Sequence, residues 1–118
     1  MGTINLVISS VGAATTLSTD PMNPTSLPAG SGDVTVNGTA TTSVGQISTL
    51  ERIEGCFDPP KAITGGSAAS WNYVIAGSNL PPGGPAFTIW VEARDNDTAN
   101  PGWATTMVFV KRLASVHV

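Results

Sequence analysis

The sequence contains only one cysteine and one histidine among 118 residues. A single cysteine excludes a disulfide within the chain, and a buried free thiol is the favoured role for Cys56, with an intermolecular bridge as the alternative. Because a structural zinc site needs four Cys or His ligands, the composition predicts no such centre. The one histidine, His117, stands next to the last residue, where chains usually fray. The sequence therefore predicts no metal, no cofactor and no catalytic residue.

Charged residues are also scarce, at 11% of the chain, against about 25% in an ordinary domain. Five basic residues and eight acidic ones give a net charge of −3. The basic residues are scattered, which argues against nucleic-acid binding. They are Arg52, Lys61, Arg94, Lys111 and Arg112. No apolar run approaches the ~20 residues that span a membrane. A weakly charged polar surface of this kind is common in assemblies and extracellular modules.

Helical periodicity is missing too. Thirteen glycines and nine prolines separate short β-branched segments, a pattern that predicts about seven strands in an all-β, two-sheet antiparallel sandwich. Residues 33–118 are predicted to form this sandwich. Residues 1–32 are predicted to form an N-terminal strand and a Pro-, Thr- and Ser-rich arm. A strand is favoured over a signal peptide because no basic residue precedes the apolar stretch.

Alternation along each strand predicts which side chains enter the core. The predicted inward residues are Val34, Val36, Gly38 and Ala40, then Trp71, Tyr73 and Ile75, then Phe87, Ile89, Val91 and Ala93, and finally Met107 and Phe109. Val108 and Val110 are predicted to point outward. A bulge is predicted between Leu50 and Ile53, which cannot share a face of a flat strand. A short edge strand is predicted around residues 62–64.

Three of these segments resemble the strands of bacterial immunoglobulin-like domains. The patterns are V-x-V-x-G-x-A in strand B, an acidic residue and Gly at the end of strand C, and x-V-x-A-x-D in strand F. The matching residues are Val34, Val36, Gly38, Ala40, Glu54, Gly55, Val91, Ala93 and Asp95. The resemblance covers about residues 33–112 and implies an immunoglobulin-like sandwich. Such domains occur on phage virions and on bacterial surface proteins.

The N-terminal strand places Ile4, Leu6 and Ile8 on one face. It is predicted to pair with the edge of its own sandwich, or else to add a strand to a neighbouring subunit. Same-chain pairing is favoured, because strand A of an immunoglobulin-like sandwich has no other source. Under the second alternative the three residues are candidate partner contacts, and the chain is a homo-oligomer held by its arm.

Two tryptophans are further candidate partner contacts. Trp90 is predicted to point away from the core on a central strand, and tryptophan is enriched at interface centres. The alternative is that a segment of the same chain covers it. Trp103, in the loop before the last strand, is either a contact residue or a lid on the core. Trp71, in contrast, is predicted to be a core residue.

The segment DNDTANPG concentrates oxygen donors between the last two strands. Asp95, Asn96, Asp97 and Asn100 are ligands that calcium accepts, but a calcium site needs ~6–8 oxygen atoms. Asp and Asn also close turns through side-chain hydrogen bonds to the backbone. We favour a turn, so no metal ligand is assigned.

Together these observations predict a non-enzymatic structural or binding protein. The resemblance favours a decoration or accessory protein of a tailed-phage capsid, assembled in the host cytoplasm and displayed on the virion surface. Its partners would be other virion proteins or further copies of itself. The alternative is a carbohydrate-binding or adhesive module of a bacterial surface protein, extracellular or on the cell surface. That module would use Trp90, Trp103 and Tyr73 as sugar-stacking platforms.

Overall fold

The computed structural model of the chain describes residues 3–43, 46–54, 61–63, 70–97, 99 and 102–114. Eight strands run through this part of the chain. They are β1 (Ile4–Val11), β2 (Thr25–Leu27), β3 (Val34–Thr42), β4 (Ile47–Glu54), β5 (Lys61–Ala62), β6 (Ser70–Ile75), β7 (Phe87–Asp95) and β8 (Trp103–Arg112). A short 3-10 turn, Gly77–Asn79, follows β6. Within the described ranges there is no helix long and apolar enough to cross a membrane.

The strands form two sheets that pack face to face, which confirms the predicted all-β sandwich. One sheet has three strands in the order β1-β3-β6, and the other has five in the order β2-β8-β7-β4-β5. All pairs are antiparallel except β2 with β8. The segment 12–32, predicted as an arm, contains β2, and an isolated bridge joins Ser18 to Phe109 of β8.

Every second side chain of β3, β6 and β7 points into the space between the sheets, as predicted. Trp71 is buried with 2% of its surface exposed, and Val36, Ile75 and Val91 are fully buried. Burying one such aliphatic side chain contributes about 1.5–3 kcal/mol. The core therefore takes one residue in two from each central strand and leaves the alternate residues on the two outer faces.

The prediction for the last strand is wrong. Val108 and Val110 are buried with 5% and 0% exposure, whereas Met107 is 36% exposed and Phe109 is partly buried. The register with β7 explains the reversal. Val108 lies opposite Ile89, and residues directly opposite each other share a face. Because every residue from Met107 to Val110 is apolar, alternation within this segment did not distinguish its two faces.

A close approach between β3 and β6 depends on Gly38. This glycine lies on the inner face, directly opposite Trp71. A Cβ atom at residue 38 would lie 2.1 Å from Trp71 Cζ2 and 2.2 Å from the Val7 carbonyl oxygen. Glycine inside a strand often marks such an approach. Here it lets the indole lie flat against the sheet, stacked at 6.1 Å from the ring of Tyr73.

The irregularities of the five-stranded sheet differ in position from those predicted. The register of β4 shifts between Ile47 and Thr49, not between Leu50 and Ile53. Ile47 and Leu50 are both buried as a result, with 6% and 3% exposure. The predicted edge strand is present as β5, the pair Lys61–Ala62. Gly55, Cys56, Thr64, Asn100, Pro101 and His117 lie outside the described residues.

Candidate functional site

The outer face of the five-stranded sheet carries the largest exposed side chains of the central strands. Ile89, Val91 and Ala93 of β7 point inward, so the alternate residues of β7 and their register partners on β4 and β8 point outward. We call this surface the aromatic face. It is formed by Thr49, Glu51, Trp90, Glu92, Arg94, Trp103, Thr105, Met107 and Phe109.

The register of β7 with β8 brings Trp90 and Met107 side by side. The two residues lie directly opposite each other, although 17 positions separate them in the chain. Trp90 is half-buried, and its indole N–H is buried with no hydrogen-bond acceptor among the described residues. A buried indole N–H usually has a partner. The register agrees with the outward direction predicted for Trp90. Met107 was predicted to point inward, so its place on this face was not expected.

Trp103 lies two rows further along the same face. It is 56% exposed and lies opposite Arg94, while Thr105 and Glu92 form the row between it and Met107. Its ring therefore lies on the outer surface at the start of β8 and does not cover the core.

Beside Trp103, the aromatic face contains a shallow depression of about 300 Å³ lined by Thr49, Glu51, Glu92 and Arg94. Glu51 and Glu92 are directly opposite each other on adjacent strands, an arrangement of like charges that destabilises a sheet. Arg94 supplies positive charge at the same depression. Polar groups and an exposed aromatic ring thus lie next to each other.

The N-terminal candidates point toward the core of their own chain. β1 pairs with β3, with Ile4 opposite Thr42, Leu6 opposite Ala40 and Ile8 opposite Gly38. Ile8 is buried with 8% exposure, and Ile4 and Leu6 are partly buried and pack against the core. The structure therefore shows the pairing within one chain and does not bring these three residues near Trp90 and Trp103 on the aromatic face.

The loop after β7 is held by Asp95, which is buried with 4% exposure. Its Oδ1 accepts hydrogen bonds from the Gly102 N–H at 2.7 Å and the Asp97 N–H at 3.2 Å. Its Oδ2 accepts one from Thr42 Oγ1 at 3.2 Å. The Gly102 hydrogen bond is the main reason that the pKa of this carboxyl lies below its ordinary value. Asp95 therefore joins the loop to the end of β3 and closes one end of the sandwich.

The neighbouring polar residues make turn contacts of the same kind. Asp97 Oδ1 accepts the Ala99 N–H at 3.1 Å, and Asn96 Oδ1 accepts the Gln46 N–H at 3.0 Å. In the part of the chain that the structure describes, no three His, Cys, Asp or Glu residues are grouped so that they could hold a metal ion. The described carboxylate and amide oxygens of this segment thus shape the loop and fasten it to β4.

Arg52 is a feature that the sequence analysis did not identify. It lies opposite Val91 on the inner side of β4, and its guanidinium carbon is 4.4 Å from the centre of the Tyr73 ring. A cation over an aromatic face is attracted by the negative charge of the ring. Its period-2 relation to Leu50 was the available signal. This contact joins the two sheets and positions Tyr73 inside the sandwich, away from the aromatic face.

Comparison with known proteins adds no relative. No protein-family model, no curated protein and no solved structure matches the chain.

Proposed function

We propose that the chain is a non-enzymatic structural or binding protein that contacts its partner through the aromatic face. The observation that carries this proposal is the position of Trp90, Met107 and Trp103 on one outward sheet surface. Tryptophan and methionine are enriched in the cores of protein interfaces. A flat, partly apolar surface on rigid strands is suited to docking, since its backbone is already ordered before a partner binds.

The immunoglobulin-like fold is part of this proposal. In that fold, strands A, B and E belong to one sheet and strands C, F and G to the other. If β1, β3, β4, β6, β7 and β8 are equated with A, B, C, E, F and G, the observed sheets have this membership. β2 then continues strand A onto the other sheet, beside β8. The buried residues Val91, Ala93 and Asp95 support the resemblance in strand F.

The partner that we propose is the capsid of a tailed phage, with the chain as a decoration or accessory protein on the virion surface. The resemblance to immunoglobulin-like domains of phage virions motivates this choice.

Cosedimentation tests this proposal. The purified chain is mixed with tailed-phage particles recovered from the culture of origin, and the bound fraction is measured against free chain. We expect saturable binding with a fixed number of copies per particle. A chain that stays in the supernatant at all concentrations would contradict the assignment to the virion.

A second candidate is carbohydrate binding, which the polar depression beside Trp103 favours. Sugars stack on exposed aromatic rings while carboxylates and arginines bind their hydroxyl groups. Affinity electrophoresis in gels containing bacterial surface polysaccharide measures this directly. Retardation of the wild type but not of Trp103→Ala, together with no binding to particles, would replace the first candidate by the second.

A further inference from the structure

Half of β8 forms an open sheet edge. On the side away from β7, β2 pairs with residues Val110–Arg112, and Ser18 bridges to Phe109. Between Trp103 and Val108 no described strand is hydrogen-bonded to that side, although β1 of the other sheet comes close to β8. An unpaired edge presents a row of backbone N–H and C=O groups to any strand that reaches it.

The direction of these groups follows from one hydrogen bond. The Phe109 N–H donates to the Ser18 carbonyl at 3.0 Å, so it points away from β7. Backbone groups alternate in direction along a strand, and the register of β7 with β8 is unbroken from Arg94–Trp103 to Phe87–Val110. Trp103, Thr105 and Met107 therefore each direct an N–H and a C=O toward the open side.

Three of the four other edges in the described part of the chain carry features that discourage pairing. The fourth, β6, has six residues, a regular register with β3, no proline and no charged side chain. β2 is three residues long and lies between Pro24 and Pro28. β5 has two residues and begins at Lys61. The register of β1 is interrupted between Ile8 and Ser10. Short strands, lysine, proline and bulges are the usual means of blocking edge-to-edge association.

The open edge of β8, like that of β6, has none of these blocking features, and it carries the larger exposed side chains. Residues Trp103–Met107 contain no proline and no charged side chain, and their register with β7 is regular. Both ends of the segment carry a large side chain that is exposed, 56% for Trp103 and 36% for Met107.

We propose that this edge pairs with the same edge of a second copy of the chain, antiparallel and with Thr105 on the two-fold axis. Trp103 of each copy then lies opposite Met107 of the other, and Thr105 lies opposite its own equivalent. All three residues direct their backbone groups outward, so each of the three pairs exchanges two hydrogen bonds. The edge is self-complementary, as a two-fold interface requires.

The side chains support the same register. Trp103 of one copy meets Met107 of the other, and an indole ring and a thioether make a favourable contact. The paired segments contain no charged residue, so the pairing brings no like charges directly opposite each other. Pairing occurs in the plane of the sheet, so the aromatic faces of both copies stay open and become continuous. The second copy is therefore the partner of this edge, whatever the aromatic face binds, and the pairing is separate from the proposed function.

The mass in solution, measured by light scattering over a concentration series, tests the pairing. We expect the wild type to reach twice the monomer mass. Thr105→Pro removes a donor that the fold itself does not use, and Met107→Lys places a charge at the junction. Each is expected to raise the dimer dissociation constant by about tenfold or more. Met22→Lys, at an 84% exposed turn residue, is the control and should dimerise like the wild type.

A cross-link tests the position of the axis. Hydrogen-bonded antiparallel pairs have Cα atoms about 5.5 Å apart, which is within disulfide range. In a Cys56→Ser background, Thr105→Cys should give a covalent dimer on mild oxidation, whereas Thr41→Cys, exposed on the other sheet, should not. A dimer lost in both edge variants but never cross-linked would overturn the Thr105 register.

Two results would overturn the pairing itself. One is a wild type that stays monomeric at every concentration. The other is a dimer that persists unchanged in Met107→Lys, with circular dichroism confirming the fold, since this would assign the contact to another edge such as β6 or to the N-terminal strand.

Discussion

The two outer faces of the sandwich differ in kind. The outer face of the three-stranded sheet, which we call the threonine face, carries short uncharged side chains. They are Asn5, Val7, Thr35, Asn37, Thr39, Thr41, Ser70, Asn72 and Val74. The aromatic face on the other sheet carries two tryptophans, a methionine and three charged residues. On both sheets the outward residues alternate with residues that face the same core. Packing of the core therefore does not account for the difference between the two outer faces.

The chemistry of each face indicates a different role. Threonine suits a half-exposed sheet, because its β-branched side chain fits the pleat. Opposed glutamates do not, because like charges directly opposite each other destabilise a sheet. An exposed Trp103 and the pair Glu51–Glu92 leave apolar area in water and like charges side by side. We infer that contact with a partner, rather than stability, accounts for the aromatic face.

The largest expected loss of stability comes from substituting Gly38, which lies beneath the threonine face. Gly38→Ala places a methyl group 2.1 Å from Trp71 Cζ2, and overpacking of this severity is expected to cost about 3 kcal/mol or more. Gly32→Ala is the matched control, because no atom lies within 4 Å of its Cβ position; its change should stay within about 0.5 kcal/mol. Urea denaturation measures both. Equal stability of the two variants would contradict the packing of Trp71 on β3.

The next largest loss of stability tests which residues of β8 point into the core. Val110→Ala removes two buried carbon atoms and should destabilise by about 2 kcal/mol, the transfer free energy plus a small cavity. Met107→Ala should cost about 1 kcal/mol or less, because Met107 is 36% exposed and can be replaced by water. If Met107→Ala lowered the urea midpoint more than Val110→Ala, the directions predicted from the sequence, Met107 inward and Val110 outward, would be correct.

Asp95 makes stability depend on pH. Its pKa in the folded chain is lowered by the Gly102 hydrogen bond, so as pH falls the unfolded state takes up the proton first. This contribution is fully present above the ordinary aspartate pKa of about 4 and is lost as pH falls toward the folded pKa. Asp95→Asn keeps an acceptor for Gly102 but cannot titrate. Its thermal midpoint should therefore fall less steeply than that of the wild type below about pH 4.

Asp20 provides a control for this pH dependence. Asp20 also has a lowered pKa, through hydrogen bonds from Asn23 and the Met22 N–H, but it lies in an exposed turn. Asp20→Asn should leave most of the acid dependence in place. Identical acid slopes for wild type and Asp95→Asn would contradict the role given to Asp95.

The smallest expected change in stability comes from the opposed carboxyl groups of the aromatic face. Glu92→Gln removes the like-charge pair with Glu51 and should stabilise the chain by about 0.2–1 kcal/mol. The gain should shrink in high salt, which screens exposed charges. Thr39→Ala on the threonine face provides a salt-independent reference. A loss of stability in Glu92→Gln at low salt would show that Glu92 supports the fold.

Local pattern predicted much of this fold. Alternation in VTVNGTA, SWNYVI and FTIWVEA identified three inner faces correctly, because the outward set of each strand contains polar residues and the inward set contains none that is charged. It failed in the segment from Met107 to Val110, where both alternate sets are apolar and only pairing with Ile89 decides the direction. The bulge in β4 was expected but misplaced, since a period-2 count does not show where the extra residue enters.

The candidate surface was less predictable than the fold. Trp90 and Trp103 stand out in the sequence by residue type, but their relation to Met107 depends on the register between two strands. Arg52 shares the inner side of β4 with Leu50, yet its contact with Tyr73 depends on how the two sheets stack. Contacts between sheets are long-range, and no short sequence window encodes them.

Binding by a pair of variants tests the central claim most directly. Trp103 and Val74 are exposed to a similar extent, 56% and 49%, on opposite outer faces. With phage particles as the ligand, the dissociation constants of Trp103→Ala and Val74→Ala are measured against the wild type. We predict a loss of about tenfold or more for Trp103→Ala and a change within about twofold for Val74→Ala. A loss confined to Val74→Ala would place the partner on the threonine face and contradict the account.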